Sequence, residues 1–227
     1  MDSARSWRRR RPAWIELGST LLLAAAFSGP AAAQPASDPK AAGFAVIETF
    51  LADVHSLKAE FRQELVDAEQ HLQQTDTGTL SFERPNKFRW MSRTPTEFLV
   101  VADGRKIWMY DVELASVTVA PLDELDASSP ALLLSGDRSV RDGFDVVETS
   151  EEDGLHWVKL VPKSAGGGFT SVRIGFEGST PQRLELVDSL NETTRVQLEK
   201  IVVNPDLPGS EFEFKRPPGV EVSGDQG

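Results

Sequence analysis

Twelve short segments with a hydrophobic period of two run through most of this 227-residue chain, and they constrain its fold more than any other feature. The segments cover residues 59–66, 77–84, 87–93, 97–102, 106–111, 115–120, 144–150, 155–161, 169–176, 182–190, 193–203 and 211–215. Turn signals such as "ADGRK", "EEDG" and "SLNE" connect many of them. The pattern predicts a mainly β protein with one large, curved antiparallel sheet or an open barrel.

Two segments carry helical signals instead. The first begins at "SDPK", where Asp38 is a candidate N-cap and Pro39 the first helical residue. Its apolar side chains follow at helical spacing: Phe44, Ile47, Leu51 and Val54. The second segment is "SSPALLLSG", capped by Ser129 and ended by Gly136. Because an apolar stripe needs a partner surface, we expect both helices to cover the concave, hydrophobic side of the sheet.

The first 33 residues have the pattern of a signal peptide. A basic region, "RSWRRRRPAW", precedes an apolar region, "LGSTLLLAAAF", which is too short to span a bilayer. Small residues then offer a cleavage site near Ala33, which leaves residues 34–227 as one domain. The clustered arginines leave the Sec and the twin-arginine export routes open.

Charge and cysteine content exclude several classes of protein. Cleavage of the leader removes five arginines and two acidic residues. The mature chain then keeps 19 basic and 33 acidic residues, which gives a net formal charge of −14. Such a surface repels nucleic acid and anionic lipid headgroups, so no nucleic-acid partner is expected. The absence of cysteine excludes a disulfide framework and a lipid-modified cysteine. The chain has no second long apolar run, so we expect no transmembrane anchor.

No catalytic constellation is recognisable in the chain. Its three histidines, His55, His71 and His156, stand in different contexts, and neither "HExxH" nor "GxSxG" occurs. The acidic groups in "LDELD" and "SEED" are typical of solvated loops. We therefore expect no enzyme, no metal and no cofactor. What is left is a large apolar concavity, which is either ordinary core or a binding site.

Arg84 places a permanent charge on an apolar strand face. Within "GTLSFERPNKFRWMS", residues 78–92, alternation puts it on the same face as Leu80, Phe82, Phe88 and Trp90. We assign these four apolar residues to the wall of the cavity, although closed core packing would produce the same pattern. A turn at "RPNK" offers a simpler explanation for the arginine, because it would let the guanidinium reach water.

Several motifs in order resemble one family. "ERPNKFRW", "VVADGRKIWMYD", "SVTVAPL", "SPALLL" and "FEFKRPPGVEV", between about residues 44 and 222, are similar to the periplasmic outer-membrane lipoprotein carriers of the LolA family. The resemblance implies an incomplete antiparallel β-barrel whose concave hydrophobic face is closed by a lid of helices. It also implies a monomeric periplasmic chaperone that takes acylated lipoproteins from the inner-membrane ABC transporter LolCDE and passes them to the outer-membrane receptor LolB.

The same resemblance assigns roles to individual residues. It makes Arg84 a lid latch that donates hydrogen bonds to backbone carbonyls near Leu51 on the first helix and near Leu134 and Ser135 on the second. The apolar residues of the two helices are candidates for the lid side chains that meet lipid, although ordinary packing of helices on a sheet would involve the same residues: Phe44, Ile47, Leu51, Leu132, Leu133 and Leu134.

Two questions stay open from the sequence. Alternation does not decide whether Trp108 and Tyr110 or Ile107 and Met109 face the cavity. The alternative function is a periplasmic lipid-binding sensor or regulator of related half-barrel fold. Such proteins usually carry a second domain, and this chain has no room for one.

Overall fold

An open sheet of twelve strands makes up most of the computed structural model, which describes residues 39–122, 134–136, 140–164 and 168–224. The strands are β1 (Ser56–Val66), β2 (Leu72–Glu83), β3 (Lys87–Thr94), β4 (Phe98–Asp103), β5 (Lys106–Asp111), β6 (Ser116–Pro121), β7 (Phe144–Glu152), β8 (Leu155–Pro162), β9 (Phe169–Glu177), β10 (Thr180–Asp188), β11 (Thr193–Val203) and β12 (Glu221–Gly224). Their order is β12-β6-β5-β4-β3-β2-β1-β11-β10-β9-β8-β7. All neighbours are antiparallel except β12, which pairs parallel with β6. The predicted open, mainly β architecture is confirmed.

Few helical elements occur among the described residues. Helix α1 (Pro39–Asp53) begins at the predicted residue, and α2 (Val140–Gly143) leads into β7. A 3₁₀ helix covers Gly209–Phe212. Of the second predicted helix, Leu134 and Ser135 are helical, and the predicted residues 129–133 lie outside the described ranges. In the part of the chain that the structure describes, no helix is long and apolar enough to span a membrane.

Helix α1 packs against one face of the sheet, which we call the inner face. Phe50 of α1 meets the Phe82 ring edge-on, with centroids 6.2 Å apart, and lies 5.7 Å from the Phe176 ring. All three phenylalanines are at most 1% exposed. They belong to one continuous apolar cluster that extends from α1 across the inner face of the sheet. Helix α1 therefore packs on the apolar face that the sequence predicts.

The opposite, outer face carries a second layer from the C-terminal segment. Trp108 stacks on Phe214 at 5.2 Å, and Tyr110 meets the same ring at 6.0 Å. Ile107, by contrast, is buried in the inner cluster. The pair left open by alternation is thus resolved: Ile107 faces inward, and both Trp108 and Tyr110 face outward.

One predicted strand is wrong. Residues 211–215 are not a strand: the 3₁₀ helix ends at Phe212, and an irregular segment follows. The apolar period of this stretch reflects side chains that pack on the outer face, where Phe212 is almost fully buried. The two prolines that follow, Pro217 and Pro218, have no N–H to continue a ladder. The C-terminal strand forms only after them, as β12.

Gly43 sets how closely α1 approaches the sheet. A Cβ atom at this position would lie 2.7 Å from Cγ1 of Val146 and 2.8 Å from Cγ2 of Thr149, both on β7. Carbon atoms in contact are normally separated by about 3.5 to 4.0 Å. A large side chain at position 43 would therefore overlap Val146 and Thr149 unless the helix or these side chains shift.

We predict that Gly43→Leu lowers the free energy of unfolding by about 1 to 3 kcal/mol, as overpacking does, although leucine favours a helix over glycine. Ala45→Leu is the matched control, because it adds the same side chain to an exposed position on the same helix. Urea unfolding of both variants measures the difference. An equal effect at the two positions would contradict the close approach.

Candidate functional site

Arg84 bridges α1 and the segment around Ser135. It follows directly after β2, and its Nε donates to the carbonyl of Val54 at 2.9 Å. Its Nη1 donates to the carbonyl of Gly136 at 2.8 Å. These acceptors stand three residues after Leu51 and one after Ser135, so the observed hydrogen bonds are displaced along the chain from the expected positions.

The C-terminal end of α1 is closed by residues distant in sequence. Three consecutive carbonyls accept hydrogen bonds there: Asp53 from Nδ2 of Asn204 at 2.8 Å, Val54 from Arg84 Nε, and His55 from the Arg84 backbone N–H at 2.8 Å. Helix ends leave such carbonyls without intrahelical partners and carry a partial negative charge. The Arg84 guanidinium therefore matches both the position of the acceptor carbonyls and the negative sign of their partial charge.

Asn204 fixes the corner between α1 and β1. Besides its bond to Asp53, its Oδ1 accepts from the backbone N–H of His55 at 2.8 Å and of Ser56 at 3.3 Å. Its φ of +54° lies in the left-handed region, which asparagine tolerates better than most residues. The sequence analysis missed this residue, and the only available signal was the turn-forming Asn-Pro pair in "VVNPD".

The Arg84 guanidinium is held by neutral groups. It lies 4.8 Å from the centre of the Phe50 ring and 5.2 Å from that of Phe82. Its Nη2 is buried without a hydrogen-bond partner among the described residues. Burial lowers the pKa of Arg84 to about 10, so it keeps its charge at neutral pH. Each charge-assisted bond contributes about 1.5 to 3 kcal/mol, and the unsatisfied donor offsets part of that gain.

The loop after β2 holds the Ser135 segment at a second point. The backbone N–H of Asn86 donates to the Ser135 carbonyl at 2.7 Å. Leu134 and Ser135 are both buried. Two successive hydrogen bonds, to Ser135 and to Gly136, therefore tie this segment to residues 84–86.

A further contact ties α1 to α2. The Nε of Arg141 lies 2.7 Å from Oε1 of Glu48, and its guanidinium stands 4.0 Å from the centre of the Phe44 ring. The ion pair is solvent-exposed, so its contribution is at most about 1 kcal/mol.

The residues predicted to line the cavity meet in the inner cluster. Five of them are buried there: Phe44, Ile47, Leu80, Phe82 and Phe88. Leu51 and Trp90 are partly buried against the same cluster, where Trp90 stacks on Phe61 with centroids 3.9 Å apart. Leu132 and Leu133 lie outside the described residues.

The three histidines do not come together. His55 follows α1, His71 contacts Asp67 in the β1–β2 hairpin, and His156 on β8 contacts Glu151. No group of three or more metal-ligating side chains occurs within the described ranges.

We predict that Asn204→Ala lowers the free energy of unfolding by about 2 to 4 kcal/mol, because it removes three hydrogen bonds and forces alanine into a left-handed conformation. Asn191→Ala is the matched control. Asn191 has a φ of +62° in an exposed hairpin turn, so its loss carries only the conformational cost of about 1 kcal/mol. Chemical denaturation compares the two variants. Equal losses would show that the Asn204 side chain adds nothing to the corner.

Comparison with known proteins gives a consistent family. The family model described as "Outer membrane lipoprotein carrier protein LolA" matches residues 52–215. An outer-membrane lipoprotein carrier protein from Dechloromonas aromatica is 40% identical over 179 residues, which cover 79% of this chain and 86% of the relative. One from Leptothrix cholodnii is 35% identical and covers 94% of this chain and 97% of its own.

A solved structure shares the fold at low identity. A conserved protein from Thermus thermophilus superimposes with a TM-score of 0.50 at 12% identity, over 81% of this chain and 97% of its own. The match of the family model to most of the chain, together with relatives at this level of identity, leads to one assignment: the chain belongs to the LolA family of outer membrane lipoprotein carrier proteins.

Proposed function

We propose that this protein is a periplasmic carrier chaperone, not an enzyme. It receives acylated lipoproteins from LolCDE at the inner membrane, shields their acyl chains, and delivers them to LolB at the outer membrane. Export with cleavage near Ala33 leaves residues 34–227 as the working domain. The observation that carries the proposal is a continuous apolar inner face covered by a helix that is held through hydrogen bonds to neutral carbonyls.

The magnitudes explain why a carrier needs a lid. Each buried methylene contributes about 0.8 kcal/mol, so an acyl chain in a permanently open groove would be bound almost irreversibly. When α1 fills the inner face, cargo must displace Phe50 and its neighbours before it can bind. The free energy needed to separate α1 from the apolar face reduces the net affinity for cargo, which allows a receptor with an open pocket to win it.

The hydrogen bonds of Arg84 add to the free energy needed to open the lid. In the closed state its guanidinium satisfies Val54 and Gly136, and opening the lid breaks these bonds. We assign Arg84 the role of latch, with Leu134 and Ser135 on the segment it retains and Leu51 on the helix. The loaded state lacks these bonds and is biased towards release.

The direct test is a release assay. Purified mature protein is incubated with inner-membrane vesicles that contain the ABC transporter and a labelled outer-membrane lipoprotein, and ATP is added. We expect a soluble one-to-one complex of carrier and lipoprotein in the supernatant. If the lipoprotein stays with the vesicles at every carrier concentration, the proposed function is wrong.

A reversible lock tests whether α1 must move. The chain has no cysteine, and a Cβ at Gly43 would lie 2.8 Å from Cγ2 of Thr149. In a disulfide, the Cβ of one cysteine lies about 3 Å from the Sγ of the other. We therefore predict that the Gly43→Cys, Thr149→Cys double variant takes up no lipoprotein when oxidised and regains uptake when reduced.

The single Thr149→Cys variant is the control for this lock, because oxidation cannot cross-link it within one molecule. It should take up lipoprotein equally well with and without oxidant. Equal uptake by the oxidised and reduced double variant would show that cargo binds without displacing α1.

A transfer assay tests the latch. Arg84→Leu should still accept lipoprotein, because the apolar face is intact, but it should hand the cargo to LolB at least about tenfold more slowly, since a lid that is cheaper to open leaves cargo more tightly bound. Arg89→Leu is the matched control: this arginine on β3 points to the outer face, where it reaches the Glu211 carbonyl at 3.4 Å. Transfer by Arg84→Leu at the rate of Arg89→Leu would exclude the latch.

A further inference from the structure

Asp76 is a buried acid on the inner face. It lies on β2 and pairs in register with Gln63 of β1. Alternation places it on the same face as Leu80 and Phe82, and its residue is only 4% exposed. Acidic side chains are almost never this buried unless they are paired.

Among the described residues, the carboxylate of Asp76 has only neutral partners. Nε2 of Gln74 donates to Oδ1 at 2.8 Å and to Oδ2 at 3.0 Å, and Nε2 of Gln63 donates to Oδ2 at 3.3 Å. No ion pair to Asp76 occurs within the described part of the chain. A buried carboxylate without a cation carries a desolvation cost that an asparagine of the same shape would avoid. Core packing alone therefore gives no reason for the charge.

On β2, the buried apolar side chains end at Asp76, whereas on the neighbouring part of the sheet they continue to Leu186 of β10. Along the inner side of β2, Phe82 and Leu80 are fully buried, Asp76 follows, and then Gln74 is exposed and Leu72 is 57% exposed. On β1, the inner-face residue next to Gln63 on the apolar side is Phe61, which stacks on Trp90. An acyl chain that lies along β2 on this face would therefore bring a polar headgroup to Asp76 and its partner Gln63.

We propose that Asp76 is a specificity determinant that excludes lipids with a phosphate headgroup from the cavity. The inference rests on the proposed function. A carrier works beside membranes whose phospholipids bear acyl chains like those of its cargo, so the apolar face cannot tell them apart. The two classes differ at the polar junction, because the lipid of a lipoprotein joins a protein through thioether and amide bonds and has no phosphate.

Electrostatics supplies the discrimination. Two negative charges at a few ångströms repel more strongly at the edge of an apolar cavity than in bulk water, because the effective dielectric constant is lower. The Gln63 and Gln74 amides hold the carboxylate in place without neutralising it. This is a repulsive element of specificity: it leaves an uncharged lipid unaffected and penalises an anionic one.

The test compares diacylglycerol with phosphatidylglycerol, which have identical acyl chains and differ only at the headgroup. Each lipid is titrated into the mature protein, and binding is measured by native mass spectrometry. We expect the wild type to prefer diacylglycerol, and Asp76→Asn to reduce this preference at least about tenfold by binding phosphatidylglycerol more tightly, since like-charge contacts cost several kcal/mol. Asp145→Asn, at an exposed position on β7, removes the same charge and should leave the preference unchanged.

A second variant keeps the Asp76 side chain and changes its exposed partner. Gln74 is exposed, and Gln74→Lys would place a cation beside Asp76. It should shift the preference towards phosphatidylglycerol in the same direction as Asp76→Asn. Gln73→Lys adds the same charge to the neighbouring exposed position, whose side-chain amide contacts Asp67 and not Asp76, and should have no effect.

Two results would overturn the inference: an unchanged lipid preference in Asp76→Asn or Gln74→Lys, or a loss of diacylglycerol binding in Asp76→Asn with phosphatidylglycerol unaffected, which would make Asp76 a hydrogen-bond acceptor for cargo. The lipoprotein release assay on the wild type separates this failure from that of the proposed function. A wild type that carries lipoprotein while both variants keep its lipid preference defeats only the role of Asp76.

Discussion

The structure depends on how the carbonyls at the C-terminal end of α1 find hydrogen-bond partners. A helix that ends on an apolar sheet carries unpaired carbonyls into a region with little water, and each buried carbonyl without a partner costs free energy. Arg84 solves this for Val54 and reaches Gly136 with the same guanidinium. A lysine could not do so, because the planar fork of arginine holds two donors at a fixed separation. Two segments that are far apart in sequence are thereby held by one side chain.

Because of Asn204, the corner between α1 and β1 is held more firmly than the contact between Arg84 and Gly136. The corner between α1 and β1 is held by three Asn204 bonds and by the Arg84 backbone N–H as well as by the Arg84 side chain. Loss of the guanidinium contacts alone therefore leaves the corner anchored. Under the proposed function, α1 could therefore change its contacts with the sheet while its attachment to β1 stays fixed.

The sequence predicts the architecture well because its signals are local. Period-two segments located eleven of the strands, and the proline at position 39 located the start of α1. Arg84 stood out because a charge on an apolar face needs a reason. Asn204 and the acceptors Val54 and Gly136 were not predictable, since their roles arise from contacts between residues far apart in the chain. Residues 211–215 were wrongly predicted because their apolar period reflects packing on the outer face.

Arg84 and Asp76 follow one physical rule. Arg84 directly follows β2 and Asp76 lies within it, and both are charged groups held by neutral partners, carbonyls for Arg84 and amides for Asp76. A buried ion pair would have been harder to open, because separating it leaves two uncompensated charges. Carbonyls and amides are neutral, so water can satisfy them when a contact to them is broken. Under the proposed function, this would allow the guanidinium to release the lid, and it would leave the carboxylate able to repel an anionic headgroup.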